Sequence, residues 1–129
     1  MAPIAVSLDR AEPHVGVVSL VGEHDAYSAG RLENELGVLV DSRVHVVVDL
    51  TEATFVDSQT LSVLLTARKR AEERSLGYVL VVSPDNYTQV HRILEMTRLT
   101  SAFVVRPTLD DAVAASRGGV AAPQHAHVA

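Results

Sequence analysis

Residues 44 to 50 read Val-His-Val-Val-Val-Asp-Leu, and a second run, Tyr78 to Val82, is apolar throughout. Such strands lack the alternation of a half-wet sheet and need cover on both faces, which in a small chain means helices above and below. The intervening segment supplies one. Between Ser58 and about Arg74, Leu61, Leu64, Leu65 and Ala71 recur at the three-, four- and seven-residue spacing of a single helix face. Strands alternating with helices imply a mostly parallel sheet joined by right-handed crossovers. Among 129 residues only Tyr27, Tyr78, Tyr87, Phe55 and Phe103 are aromatic, so Val, Leu and Ala must supply the packing. A β-branched, aromatic-poor core suits short parallel strands under helices.

The remaining elements follow from the same spacing. Ile4 to Leu8 alternates as an edge strand, Pro13 breaks the chain, and Val15 to Val21 forms a second strand ending at Gly22, so the chain opens with a hairpin. Asp25 and Ser28 offer N-caps for a helix with Leu32, Leu36, Leu39 and Val40 on one face. Ser83-Pro84-Asp85-Asn86 is a turn before a helix whose apolar side is Tyr87, Val90, Ile93 and Leu94. Ala102 to Val105 is a last strand. Thr108 caps a last helix, Leu109 to Ser116, with Asp110 and Asp111 in the first turn, where the dipole favours them. The expected fold is a single α/β domain over residues 1–116, order ββαβαβαβα, followed by a Gly- and Ala-rich tail, 117–129, expected to be disordered.

Several function classes drop out. The chain has no cysteine, so thiolate chemistry and disulfides are excluded. Net charge is -5, and the one basic cluster, Arg68-Lys69-Arg70 with Arg74, is interleaved with Glu72 and Glu73, which describes a solvated helix face better than a nucleic-acid patch. The histidines at 14, 24, 45, 91, 125 and 127 show no zinc spacing and read as incidental. There is no Gly-x-Ser-x-Gly elbow, phosphate-cradling glycine loop or dinucleotide fingerprint. The expectation is a protein that is not an enzyme and takes no cofactor or metal. The start, Met1-Ala2-Pro3-Ile4, lacks the character of a signal peptide, and Val46–Val48 and Val79–Val82 are far too short to cross a bilayer; a cytoplasmic protein with no membrane insertion is expected.

The segment that can carry function is Asp49-Leu50-Thr51-Glu52-Ala53-Thr54-Phe55-Val56-Asp57-Ser58-Gln59-Thr60-Leu61, where a buried strand ends, a short loop crosses and a polar group opens a helix. Asp57 or Ser58 as N-cap stabilises that helix by about 1 kcal/mol, and residue chemistry alone asks no more of them. The unpaired N–H groups and dipole of a helix start also accommodate a reversible phosphate on a hydroxyl there. A third use of the same groups is to bind a nucleotide phosphate.

Three stretches in order make the chain resemble the STAS domain family, especially bacterial anti-sigma factor antagonists: Gly22-Glu23-His24-Asp25, where the family has Gly-Glu-Leu-Asp; Val47-Val48-Asp49-Leu50 through Phe55-Val56-Asp57-Ser58; and Val90 to Leu99 with Phe103 behind it. The resemblance covers about residues 4 to 116. It implies a regulatory module that binds an anti-sigma factor of kinase-like ATPase fold, which in the family phosphorylates a Ser or Thr at the helix start. It also implies a binding surface centred on Asp57, Ser58, Gln59 and Thr60, with Glu23 and Asp25 on its rim. The family pattern there is Asp-Ser-Ser/Thr-Gly-Leu, and this chain has Asp57-Ser58-Gln59-Thr60-Leu61, which puts the acceptor hydroxyl on Gln59 and the glycine on Thr60. Three outcomes stay open: no switch, an acceptor moved to Ser58 or Thr60, or docking altered by a bulkier loop. Arg98 similarly stands where many relatives have glycine. STAS domains also serve as accessory subunits of transporter and lipid-transport complexes, which is the alternative reading. The opening hairpin leaves an edge strand able to pair with a second copy in a homodimer.

Overall fold

The computed structural model describes residues 3–85 and 88–123. Its main sheet has five strands in the order β1-β2-β4-β6-β7: β1 is Ile4–Asp9, β2 Val15–Leu20, β4 His45–Asp49, β6 Tyr78–Val81 and β7 Val104–Arg106. β1 and β2 form the expected antiparallel hairpin, and every other neighbour pair is parallel. Among the described residues four helices complete the domain: α1 Ala26–Asp41, α2 Ser58–Glu73, α3 Gln89–Met96 and α4 Leu109–Ser116.

The doubly apolar strands meet the two-sided cover they require. In β4, Val46 and Val48 join the core cluster under the first three helices, with Leu32, Leu36, Leu64 and Leu94, while Val47 joins a second cluster under α4 with Val17, Val79, Val81 and Ala112. Tyr78 is fully buried; its hydroxyl donates to the Leu64 carbonyl (2.9 Å) and its ring stacks near Phe103. Burial pushes that phenol far above its ordinary pKa, so it stays a donor.

Three details differ from the sequence-based expectation. The second strand does not end the region at Gly22. Gly22–His24 is a short strand, β3, that pairs in parallel with Ala53–Val56, β5, in a separate two-stranded sheet. The expected loop is therefore partly a strand, one too short and too exposed in the middle to show an apolar signature. The last strand begins at Val104 rather than Ala102, because Leu99–Ser101 forms a 3₁₀ turn that carries the chain across to it. The expected disorder from residue 117 does not describe residues 117–123. Arg117 pairs with Asp9 (3.0 Å), the Val120 carbonyl accepts from Tyr78 N–H (3.1 Å), and Ala121 is buried. Gly119, at φ +77°, turns the chain back onto the sheet, so a composition read as disorder instead permits a close approach. The rest of that tail, with His125 and His127, and the positions of Asn86 and Tyr87 lie outside the described residues.

Arg98 does sit in the left-handed region, at φ 59° and ψ 24°. A side chain there costs about 1–2 kcal/mol relative to an ordinary backbone conformation.

Candidate functional site

Two strand-to-helix units lie side by side at one end of the molecule. β3 ends at His24, Asp25 follows as N-cap, and α1 begins; β5 ends at Val56, Asp57 follows as N-cap, and α2 begins. Because β3 and β5 pair in parallel, both helices start on the same surface, with Glu23 opposite Phe55 and His24 opposite Val56. The caps are alike in chemistry. Asp25 accepts from Tyr27 N–H (2.9 Å), and Asp57 Oδ1 accepts from Thr60 N–H (2.8 Å). Each carboxylate satisfies a donor that the helix leaves unpaired and sits at the positive end of a helix dipole.

Pairing alternates along β5. Asp57 N–H donates to the His24 carbonyl (3.1 Å), which ties α2 to β3. Val56 points its N–H and C=O to the opposite edge, where no strand lies among the described residues. There the Gln89 carboxamide takes a strand's place: Oε1 accepts from Val56 N–H (2.9 Å) and Nε2 donates to the Val56 carbonyl (3.1 Å). Gln89 is the first residue of α3, so α3 holds the residue next to the α2 cap. Sequence reasoning missed it because the contact spans 33 residues and is made by a side chain imitating a backbone. Gln89→Leu leaves both Val56 groups unpaired and is expected to lower stability by about 2 kcal/mol. Urea unfolding checks this, together with faster amide exchange at Val56.

The expected site residues divide. Ser58 and Gln59 are exposed on the first turn of α2, Asp57 is half-buried in its cap, and Glu23 and Asp25 are exposed on the neighbouring unit. Thr60 is corrected. It is fully buried and its Oγ1 has no hydrogen-bond partner, so its hydroxyl is not on the exposed surface. Three residues along from the cap, its side chain turns inward under the helix. Exposed aromatics add to the surface: Tyr27 is 87% exposed and Phe55 37%. Tyr27 borders a hollow of about 600 Å³ with Glu23, Asp25 and Thr54, and Gln59 lines a groove between α1 and α2 with Gly30 and Glu33. The surface therefore has an uncharged centre at Ser58 and Gln59 and an acidic, aromatic rim. Among the described residues no group of His, Asp or Glu could hold a metal ion. None of their helices is long and apolar enough to cross a membrane.

Known proteins share this architecture. The STAS domain family model matches residues 8–112. Anti-sigma-F factor antagonist RsfB of Mycobacterium tuberculosis is 31% identical over 121 residues, covering 92% of this chain and 95% of RsfB. The crystal structure of an anti-sigma factor antagonist from Mycobacterium paratuberculosis superposes with a TM-score of 0.69 at 29% identity, over 89% of this chain and 95% of that one. SpoIIAA of Bacillus in its phosphorylated form shares the fold at TM-score 0.61 and 14% identity, over 85% of this chain and 97% of that one. This chain belongs to the STAS domain family, and these relatives are anti-sigma factor antagonists.

Proposed function

We propose that this protein is an anti-sigma factor antagonist that acts in the cytoplasm by binding an anti-sigma factor of kinase-like ATPase fold, through the surface formed by the starts of α1 and α2. The observation that carries this reading is the similarity to RsfB over nearly the whole of both chains. The geometry supports the location, because Ser58, Gln59, Glu23 and Asp25 are exposed, with Asp57 half-buried among them, at the ends of the paired strands β3 and β5.

The surface stays in its unmodified, binding-competent state. The family acceptor position holds Gln59, which has no hydroxyl to modify and no charge with which to imitate a phosphate. Ser58 is the remaining exposed hydroxyl on that turn. With no dianion at the helix start, nothing repels a docked partner.

An affinity pull-down of the tagged protein from its native host, with mass spectrometry of the captured proteins and of Ser58, tests both parts. Recovery of an ATPase-fold anti-sigma factor with unmodified Ser58 is the expected result. Phosphate on Ser58 would mean that the switch has moved by one residue. Transporter components in place of the ATPase would overturn the antagonist reading.

A further inference from the structure

We propose that His24 is a proton-binding site that couples pH to the shape of the docking surface, an inference that rests on reading the starts of α1 and α2 as that surface. His24 stands where the family resemblance places an apolar residue, and its side chain has no exposed area. Both ring nitrogens are engaged: Nε2 lies 3.1 Å from the Val21 carbonyl and Nδ1 lies 3.1 Å from Ser28 Oγ. A carbonyl can only accept, so in the neutral ring Nε2 carries the proton and Nδ1 accepts from the Ser28 hydroxyl. Ser28 Oγ is also 3.2 Å from the Asp25 carbonyl and 3.3 Å from Asp25 N–H, within the α1 capping box. When the ring takes a proton from solvent onto Nδ1, that nitrogen becomes a donor. The single hydroxyl hydrogen of Ser28 must then turn to the Asp25 carbonyl, and the hydrogen-bond chain into the α1 cap reverses.

The hydrogen bonds survive this reversal, but the buried charge does not sit comfortably. An imidazolium closed off from water is unfavourable, and burial is the main cause that lowers the His24 pKa, against the Val21 carbonyl and the Asp25 carboxylate. Among the described residues, the other charged groups on the elements around it give no second counter-charge beside Asp25. Asp57, at the β5–α2 junction, accepts from Thr60 N–H; Glu23, its neighbour in β3, is exposed; Arg31 on α1 donates to the Ile4 carbonyl; His91 on α3 lies between Thr88 N–H and the Ser83 carbonyl. The charged ring is relieved by hydration, which moves β3 away from the elements paired with it, β5 among them. That separation releases the hydrogen bond from Asp57 N–H to the His24 carbonyl and loosens the first turn of α2. The opened form has the ordinary histidine pKa of about 6.5, so it gains population as pH falls below that value and loses it above. The closed surface is the neutral-pH form.

The free protein suffices for the test, so its outcome is independent of whether an anti-sigma factor is the partner. The His24 ring and the backbone amides of Phe55 to Thr60 are followed by NMR from pH 7.5 to 5. The expected result is that these amides shift with the midpoint of the His24 ring itself, and that their protection against hydrogen exchange, taken relative to the intrinsic exchange rate at each pH, falls with the same midpoint. Per pH unit, one linked proton can change the opening equilibrium by at most about tenfold. In His24→Leu the amides should hold their positions over the same range, and in His24→Gln, which keeps a polar group without the titration, they should do the same. Amides that move equally in His24→Leu, or a ring that stays neutral until the whole domain unfolds, would overturn the proposal.

Discussion

Gly77→Ala is expected to destabilise the domain by about 3 kcal/mol and to lower its melting temperature by roughly 10 °C, the upper end of what overpacking costs. A Cβ on Gly77 would lie 1.9 Å from the Ser116 carbonyl oxygen and 2.7 Å from Ser116 Cα. These are backbone atoms at the end of α4, so no side-chain rotation relieves the overlap. α4 would have to lift from the sheet and uncover Val47, Val79 and Val81 beneath it. Gly37→Ala is the control within the same protein. Gly37 lies inside α1, where a Cβ approaches only the Arg70 guanidinium at 3.5 Å, and alanine there should stabilise by about 1 kcal/mol through helix propensity. Thermal and urea unfolding of both variants check the pair. A neutral Gly77→Ala would mean that α4 is not held against the sheet as described.

Ser58→Glu separates binding from folding. Ser58 is the exposed first residue of α2, where a carboxylate meets the positive end of the dipole, so stability should hold or rise by about 0.5 kcal/mol. Binding should weaken by about 2 kcal/mol, roughly thirtyfold, because a charge enters the uncharged centre of a surface whose rim is already acidic. Titration calorimetry against the anti-sigma factor captured from the host measures this, with urea unfolding run alongside. Unchanged affinity would place the docking surface elsewhere. A matching loss of stability would make the effect one of folding rather than contact. Gln59→Ser complements it: restoring a hydroxyl at the family acceptor position should make the protein a substrate for a kinase-active partner, read by mass spectrometry.

Much of the architecture could be read from local pattern. The doubly apolar strands at 44–50 and 78–82, the helical spacing from Ser58, and Asp57 and Thr108 as caps all describe short-range chemistry, and each appears as expected. Arg98 is a related case: the family comparison pointed to a glycine site, and the backbone is left-handed there. The start of α2 was legible for the same reason. A polar group after a buried strand marks the start of α2, with Asp57 as its cap.

Other features depended on contacts between distant residues. Thr60 looks as available as Ser58 in sequence, yet two steps along a helix turn its side chain under the surface. β3 and β5 are too short to stand alone and exist because each satisfies the other's backbone, with Gln89 closing the free edge at Val56. His24 reads as an incidental histidine until that pairing buries it against Val21 and Ser28. Residues 117–123 carry no apolar pattern, but Gly119 lets them fold back so that Val120 pairs with Tyr78. Periodicity and capping act over about one helical turn, so the sequence alone determined the strands of the main sheet, the helices and where the second helix begins. Burial and edge pairing are properties of the assembled chain, so only the tertiary structure decided which residues of that helix start are exposed and what holds them in place.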